Sequence, residues 1–165
     1  MDNLIPNKIK EKFADSILEI GEFRSQLTCV VKREELPVIC RFLRDDPELS
    51  FNFLSFIGGV DFPERNPRFD VVYELYSISN NHRLRLKVKV NQEESVPSVT
   101  SIWRTANWQE REVFDLFGIN FEGHPDLRRI LMPDDYEGHP LRKDFPLTRE
   151  EVTFSHNLNR PPKIE

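Results

Sequence analysis

Residues 83–90 show the strictest pattern in the chain, a regular alternation of cationic and apolar side chains. Successive side chains of a β-strand point to opposite faces of a sheet, so this period of two predicts a strand with one buried face. The cations are Arg83, Arg85, Lys87 and Lys89, and the apolar residues are Leu84, Leu86, Val88 and Val90. Such a cationic row usually faces solvent and discourages edge-to-edge aggregation; the alternative is a docking face for an acidic partner or an anionic ligand.

The rest of the first hundred residues adds helices and further strands. Apolar spacing predicts helices over residues 6–16 and 34–45, and Pro37 is tolerated in the first turn of the second helix. Strands are expected over residues 17–23, 27–32, 51–62 and 69–79, with a bulge or bend at Gly58-Gly59. The order helix-strand-strand-helix-strand-strand-strand predicts an α+β fold, a two-layer domain with a mixed, mainly antiparallel sheet covered by helices. We divide the chain into a core domain (1–106), a helix (107–118) and a long extended C-terminal tail (119–165).

Composition argues against several functions. The 165 residues carry a net charge of −5, which gives nucleic-acid binding little support. The sequence has no apolar run approaching the roughly 20 residues that span a bilayer, and the N-terminus lacks the apolar core of a secretory signal. Cys29 and Cys40 lie in apolar segments, as buried reduced thiols do, and two cysteines cannot supply the four thiolates of an iron–sulfur cluster. We therefore expect no cofactor and no redox centre in this chain.

An acidic and aromatic helix is predicted from Asn107 to Phe117. Asn107 and Glu110 have the spacing of a capping box at its start, and Gly118 stands where a left-handed C-terminal cap belongs. Glu112 and Asp115 are three residues apart and are expected on one face with Arg111, opposite an apolar arc. Paired carboxylates can also transfer protons, but each of these has a structural role available, so we predict no catalytic residue here.

The helix is followed by a turn motif that occurs twice. We call residues 123–129, Gly-His-Pro-Asp-Leu-Arg-Arg, the first turn module, and residues 138–143, Gly-His-Pro-Leu-Arg-Lys, the second turn module. Prolines at 125, 133, 140 and 146 exclude a long helix or a central strand, yet apolar side chains recur among the arginines. This combination is typical of a segment that lies on another protein. The predicted interface residues are His124, Leu127, Arg128, Arg129, Met132, His139, Arg142, Lys143 and Phe145.

His124 and His139 raise the question of a metal. They occupy equivalent positions in the two turn modules, and Asp126, Asp134 and Asp135 are near in sequence. Zinc sites usually contain closely spaced pairs of ligands, which this pattern does not provide, and Gly-His-Pro is well explained as a turn. We therefore predict no metal site. Gly58-Gly59 likewise lacks the further glycine or lysine of a phosphate-binding loop.

These residues together carry a resemblance to a known family. Glu110-Arg-Glu112, Asp115-Leu-Phe117, His124, Arg128 and Ile130-Leu131 resemble the pattern shared by the C subunits (30 kDa subunit family) of the respiratory NADH:quinone oxidoreductase, complex I. The similarity covers about residues 107 to 149 and includes both turn modules. Tyr136 and Phe145 stand where many members of the family have Trp and Tyr. Because the chain ends soon after the motif, we expect a separate polypeptide rather than one fused to the neighbouring D subunit.

The resemblance implies a subunit that holds no cofactor. Such subunits lie in the hydrophilic arm, peripheral to the cytoplasmic side of the inner membrane, and contact the D, B and I subunits. The tail is expected to lie across the D subunit, which lines the quinone site. NADH, FMN, the iron–sulfur clusters and quinone would belong to the complex, with electron transfer coupled to proton translocation. Related chains occur in membrane-bound hydrogenases and plastid-type NDH complexes, so the electron donor stays open.

A second hypothesis comes from another class of protein. The two histidines, the acidic helix and the cationic strand could serve a stand-alone enzyme or anion-binding protein. The two hypotheses differ in the free chain. A subunit would be poorly ordered beyond about Gly118 and gain order from its partners, whereas an enzyme would have its site already assembled.

Overall fold

The computed structural model describes residues 4–146, which contain a five-stranded sheet, a two-stranded sheet and three α-helices. The elements are α1 (Leu4–Phe13), β1 (Ile17–Phe23), β2 (Gln26–Val31), α2 (Leu36–Asp45), β3 (Phe53–Asp61), β4 (Phe69–Ser77), β5 (His82–Val90), β6 (Ser95–Pro97), α3 (Ala106–Phe117) and β7 (Asn120–Glu122). Short 3-10 turns at Ala14–Ser16 and Arg33–Glu35 lead into β1 and α2. Every helix of the described residues is too short or too polar to cross a membrane.

The large sheet is mixed and mainly antiparallel, with the strand order β1-β2-β5-β4-β3. β1 and β2 form the predicted hairpin, and β3, β4 and β5 form an antiparallel meander. β2 then pairs with β5 in parallel, from Thr28 opposite Arg85 to Val31 opposite Val88. Parallel neighbours need a crossover connection, and the chain between β2 and β5 contains α2, β3 and β4. The predicted α+β fold is therefore confirmed.

The three helices pack on one face of this sheet. Leu84, Leu86, Val88 and Val90 of β5 are buried there, in one core with the apolar sides of α1, α2 and α3. The predicted stripe of α2 is confirmed, because Leu36, Ile39, Cys40 and Leu43 are fully buried. Burial also raises the pKa of both free thiols, Cys29 to about 11 and Cys40 further. Both thiols therefore stay protonated at neutral pH.

One local prediction is wrong, and one element of the structure was not predicted. The irregularity of β3 lies between Leu54 and Phe56, and Gly58 and Gly59 pair regularly with Val72 and Val71 of β4. Neither glycine has a positive φ, and both leave room for aromatic rings, Phe56 at Gly58 and Phe117 at Gly59. The element that was not predicted is the small parallel sheet of β6 and β7. It joins the chain before α3 to the chain after it, so Phe121 reaches the same core as the large sheet.

Candidate partner interface

Helix α3 starts one residue before the prediction, and its first turn is held in a different way. Ala106 is the first helical residue, and Thr105 before it has helical dihedrals and makes no side-chain capping bond within the described chain. The Glu110 side chain does not accept a hydrogen bond from the Asn107 backbone amide, as a capping box requires. Its carboxylate accepts hydrogen bonds from the Val99 amide at 2.8 Å and the Ser98 hydroxyl at 2.7 Å. Glu110 thus anchors the loop before the helix.

Glu110 is a fully buried carboxyl group with an altered protonation equilibrium. Burial raises its pKa from 4.5 to about 7, although the bonds from Ser98 and Val99 lower it in part. The buried hydroxyl of Tyr73 also lies within electrostatic range and has no hydrogen-bond partner among residues 4–146. The His124 ring completes this polar cluster, with Nε2 4.0 Å from a Glu110 oxygen.

Asp115 organises the chain after the first turn module. One of its oxygens accepts the backbone amides of residues 130, 131 and 132 at 2.8–3.0 Å, and the other accepts Arg129 Nη1 at 2.6 Å. Burial raises the pKa of this carboxyl group, but these four donors outweigh it, so the pKa is lowered. Asp115 faces the same segment as Arg111, as their spacing predicts, but it is buried while Glu112 is exposed, so Glu112 does not share its surroundings.

Two arginines fasten the same segment through its carbonyl groups. Arg111 donates from the helix to the carbonyls of Arg128 and Arg129 at 3.1 and 2.8 Å. Arg129 reaches onward from Asp115 to the carbonyls of Tyr136 and Gly138 at 2.8 and 3.0 Å. A guanidinium group has five donors in a rigid plane, so one side chain can hold several acceptors at once. The two modules are linked in this way.

The second turn module closes the C-terminal end of α3. The last carbonyls of a helix have no partner within it. Here His139 Nδ1 donates to the Asp115 carbonyl at 2.9 Å, the Leu141 amide to Leu116 at 3.1 Å and Arg142 Nε to Phe117 at 2.5 Å. The predicted left-handed cap at Gly118 is confirmed with a φ of 71°. A side chain at Gly118 would also collide with His139 and Arg142.

The second module is further attached to the end of β3. The backbone amide of Lys143 donates to Asp61 at 2.8 Å, and Asp61 is itself buried in an ion pair with Arg68 at 2.7 Å. Arg68 also pairs with Asp144 at 2.9 Å. The hydrogen bond from Arg68 is the main cause of a lowered pKa at Asp61. We call these contacts of α3 and β3 with residues 123–146 the clamp.

The two histidines are structural hydrogen-bonding groups. His124 Nε2 lies 3.0 Å from the Asn107 carbonyl, and its Nδ1 accepts the Asp126 amide at 3.0 Å, which together require the neutral ring protonated on Nε2. Burial lowers the pKa of His139, and the nearby Arg129 and Arg142 add to this effect. Within residues 4–146 there is no group of three His, Cys, Asp or Glu side chains that could hold a metal ion.

Several side chains of residues 123–146 remain open to solvent. The Arg128 side chain is 68% exposed and pairs with Asp126 at 3.0 Å. Leu131 is 60% and Leu141 52% exposed. Other members face inward: Leu127 packs against the core, and Phe145 stacks on Tyr136 and covers Gly138. Met132 is half-buried, and Leu147, a further apolar residue of the proline-rich segment, lies outside the described residues.

Sequence reasoning missed the groups that receive the clamp. Asp61 and Arg68 were not singled out, and neither was Ser98, which binds Glu110, because nothing in their local pattern separates them from ordinary surface residues. Arg129 and Arg142 were identified, but as contacts to another protein. Their observed partners are carbonyls and a carboxylate of this chain. The structure thus defines an α+β domain that fastens a proline-rich segment to its own surface and leaves part of its apolar side chains exposed.

Comparisons with known proteins identify the family of this domain. Residues 29–151 match the family described as the respiratory-chain NADH dehydrogenase, 30 Kd subunit. The chain is 52% identical to the C subunit of NADH-quinone oxidoreductase from Roseiflexus sp. (strain RS-1), over 97% of this chain and 93% of that one. It is 54% identical to the protein of that name from Geobacter sulfurreducens, over 85% and 86%. The chain therefore belongs to the 30 kDa subunit family of the respiratory-chain NADH dehydrogenase, as the resemblance predicted.

A solved structure shares the fold at lower sequence similarity. It is described as the membrane-bound sulfane sulfur reductase, an archaeal respiratory membrane complex. The TM-score is 0.73 at 23% identity, with 97% of this chain and 98% of that chain covered. At this identity the comparison shows the fold alone.

Proposed function

We propose that this chain is a structural subunit of the peripheral arm of an NADH:quinone oxidoreductase, complex I, and holds no cofactor of its own. It supports electron transfer from NADH to quinone and the coupled proton translocation by bracing its neighbours. Membership of the family and the names of its relatives support this function. The observation that carries the bracing role is the clamp, which orders both turn modules while Leu131 and Leu141 stay exposed. An ordered segment with exposed apolar side chains loses little entropy when a partner covers it.

The partners follow from the same proposal. The D subunit receives the tail, and the B and I subunits contact the domain, so that the chain meets the membrane only through the complex, on the cytoplasmic side. NADH, FMN, the iron–sulfur clusters and quinone are held by other subunits. The division into residues 1–106, 107–118 and 119–165 stays a prediction, although α3 and Phe121 share the core of the sheet. An equivalent place in a membrane-bound hydrogenase or a plastid-type NDH complex is the alternative.

Alanine variants of the two modules test the interface. Arg128→Ala removes an exposed guanidinium, so we expect an unchanged thermal midpoint of the isolated chain and assembly weakened by about 2 kcal/mol, a hot-spot value. Arg142→Ala also removes the bond to the Phe117 carbonyl, so it should lower the thermal midpoint as well. Lysine at either position should restore part of the loss, because it cannot form two parallel hydrogen bonds. Normal recovery of the complex with both alanine variants would contradict the interface.

Two measurements on the isolated full-length chain complete the test. Absorption and metal analysis should find no stoichiometric flavin, nucleotide or iron–sulfur cluster. Amide hydrogen exchange should be faster over residues 123–147 in the free chain than in the complex, because partner subunits would add protection to that which the clamp provides. The amides of Ile130, Leu131 and Met132 are the informative ones, since Asp115 already accepts them within the chain. Equal protection of the whole segment in both states would show that the clamp alone orders it.

A further inference from the structure

The sheet face opposite the helices carries an arrangement that the clamp does not involve. Its rows run from the edge strand β3 through β4 and β5 to β2, as the pairing register shows. The β5 row holds Arg83, Arg85, Lys87 and Lys89, and the β3 row holds Phe53, Phe56 and Val60. We call this surface the outer face. Every helix of the described residues lies on the other side of the sheet.

The outer face has an unbalanced positive charge in a chain whose net charge is −5. The two carboxylates of its β4 row are already neutralised: Glu74 pairs with Arg85 at 2.5 Å, and Asp70 pairs with Arg65. Lys87 and Lys89 form no ion pair with any described residue, and Arg83 lies over the Tyr76 ring. Lys87 lies between Val30 of β2 and Val72 of β4, so its side chain is flanked by apolar residues on both neighbouring strands.

The β3 row presents aromatic surface that is held in place. A Cβ atom at Gly58 would collide with the Phe56 ring, so the ring lies against the bare backbone of Gly58. Phe56 nevertheless remains 50% exposed and Phe53 43% exposed. Gly58 has no positive φ, so the space that it leaves for this ring accounts for the glycine. The β4 row separates these rings from the cations of β5. Aromatic residues and arginine are the residue types enriched in protein interfaces, and the outer face presents both.

The dimensions of the charged row favour a macromolecular partner. From Arg83 to Lys89 the strand rises roughly 20 Å, at about 3.4 Å per residue, which is more than a small anion can cover. Arg85 is also fixed from both sides, by Glu74 and by the Gln26 side chain at 3.1 Å. A charged group that is already ordered loses little further freedom on binding.

We propose that the outer face is a second docking surface, which binds a protein surface with carboxylates opposite β5 and apolar side chains opposite β3. The proposal rests on the proposed function, since the partner is another subunit of the same complex. It is separate from the clamp, because the cations of β5 and the exposed rings of β3 take no part in the contacts of residues 123–146. Lys87 and Lys89 form its charged half, and Phe56 forms its apolar half.

Chemical labelling compares the same lysines in two states. The full-length chain, free and in the detergent-solubilised complex, is treated with an amine-reactive reagent and analysed by mass spectrometry. We expect Lys87 and Lys89 to react about tenfold more slowly in the complex, while exposed Lys10 on α1 serves as an internal reference. A carbodiimide should then cross-link Lys87 or Lys89 to a carboxylate of another subunit. Equal reactivity in both states would overturn the proposal.

Charge reversal tests the surface in the assembled complex. Lys87→Glu with Lys89→Glu should lower recovery of the chain in the complex by about tenfold or more, equivalent to ~1.4 kcal/mol, because like charges would then face each other. Lys10→Glu with Arg41→Glu makes the same change in net charge at exposed positions on α1 and α2, on the other side of the sheet, and should assemble normally. Phe56→Ala should weaken assembly without lowering the thermal midpoint of the free chain. Normal assembly of the Lys87/Lys89 variant would refute the docking surface.

Two further outcomes separate this proposal from its alternatives. Vesicles of anionic phosphatidylglycerol that protect Lys87 and Lys89, with no cross-link to a protein subunit, would make the outer face a lipid surface and overturn the proposal. A complex that contains the chain but leaves both lysines reactive would refute the docking surface and leave the proposed function standing. Absence of the chain from the complex would refute the proposed function and this proposal together.

Discussion

Replacing Glu110 by glutamine should remove a pH-dependent loss of stability. The side chain is fully buried, and burial raises its pKa from 4.5 to about 7. Below pH ~4.5 this carboxyl group is protonated in both the folded and the unfolded chain, so it does not lower the free energy of unfolding. As pH rises from there to about 7, the unfolded chain releases the proton and the folded chain keeps it, so the free energy of unfolding falls. The full loss persists at higher pH and amounts to about 3 kcal/mol, at 1.36 kcal/mol per pKa unit.

Glutamine can keep both hydrogen bonds of this site. Its carbonyl oxygen can accept the Val99 amide, and its NH₂ group can donate to the Ser98 hydroxyl oxygen. The free energy of unfolding of Glu110→Gln, relative to the natural chain, should therefore rise by about 2.5 kcal/mol between pH 5 and pH 8. Urea unfolding followed by tryptophan fluorescence measures this, since the buried indole of Trp103 reports on the same core.

Glu112→Gln provides the matched control. It is the same substitution on the same helix at an exposed position, so the difference in the free energy of unfolding should change little with pH. If the Glu110→Gln difference is equally constant between pH 5 and pH 8, Glu110 does not hold its proton in the folded state. The assignment of a buried neutral carboxylic acid would then be wrong.

Four further substitutions test other parts of the structure. Asp115→Asn breaks a buried ion pair and turns an amide group towards backbone donors, so the free energy of unfolding measured in urea should fall by about 3–5 kcal/mol. Amide hydrogen exchange should also become faster at residues 130–132. An unchanged urea midpoint would contradict the role of this carboxylate. Tyr73→Phe removes a buried hydroxyl that has no partner among the described residues, so stability should be unchanged or rise by about 1 kcal/mol; a loss above that size would reveal a hidden partner. Gly59→Ala places a methyl group 2.7 Å from the Phe117 ring and should cost about 1–3 kcal/mol in thermal or urea unfolding. Gly58→Ala displaces only the exposed Phe56 ring and should cost less; the reverse order would refute the packing of these two rings.

The periodic parts of the fold were predictable because burial of one face leaves a local pattern. The alternation over residues 83–90 and the stripe of α2 state which side chains face the core, whatever the core contains. The left-handed cap at Gly118 is equally local, since glycine adopts that conformation without steric cost. The parallel pairing of β2 with β5 was not predicted, because it joins residues far apart in the chain whose edges carry no pattern of their own.

The turn modules show where prediction from sequence stopped. Their prolines, arginines and apolar side chains indicated an extended segment, and motif similarity indicated the family. The fastening to α3 and β3 was not visible, because hydrogen bonds between side chains and distant carbonyls leave no periodicity. Arg142 illustrates this: its charge can be read from the sequence, and only the fold places the Phe117 carbonyl against it.

The sequence by itself determined the α+β class, the helices, most strands and the family, since local periodicity and motif identity suffice for these. Tertiary structure decided the protonation of the two carboxylates that α3 buries. Burial raises the pKa of Glu110, although the hydrogen bonds from Ser98 and Val99 oppose this effect. At Asp115, the hydrogen bonds from Arg129 and three backbone amides outweigh burial and lower the pKa. Their partners lie 11 to 17 residues away along the chain. A carboxylate's pKa depends on the solvent and donors around it, and those are fixed only when the chain has folded.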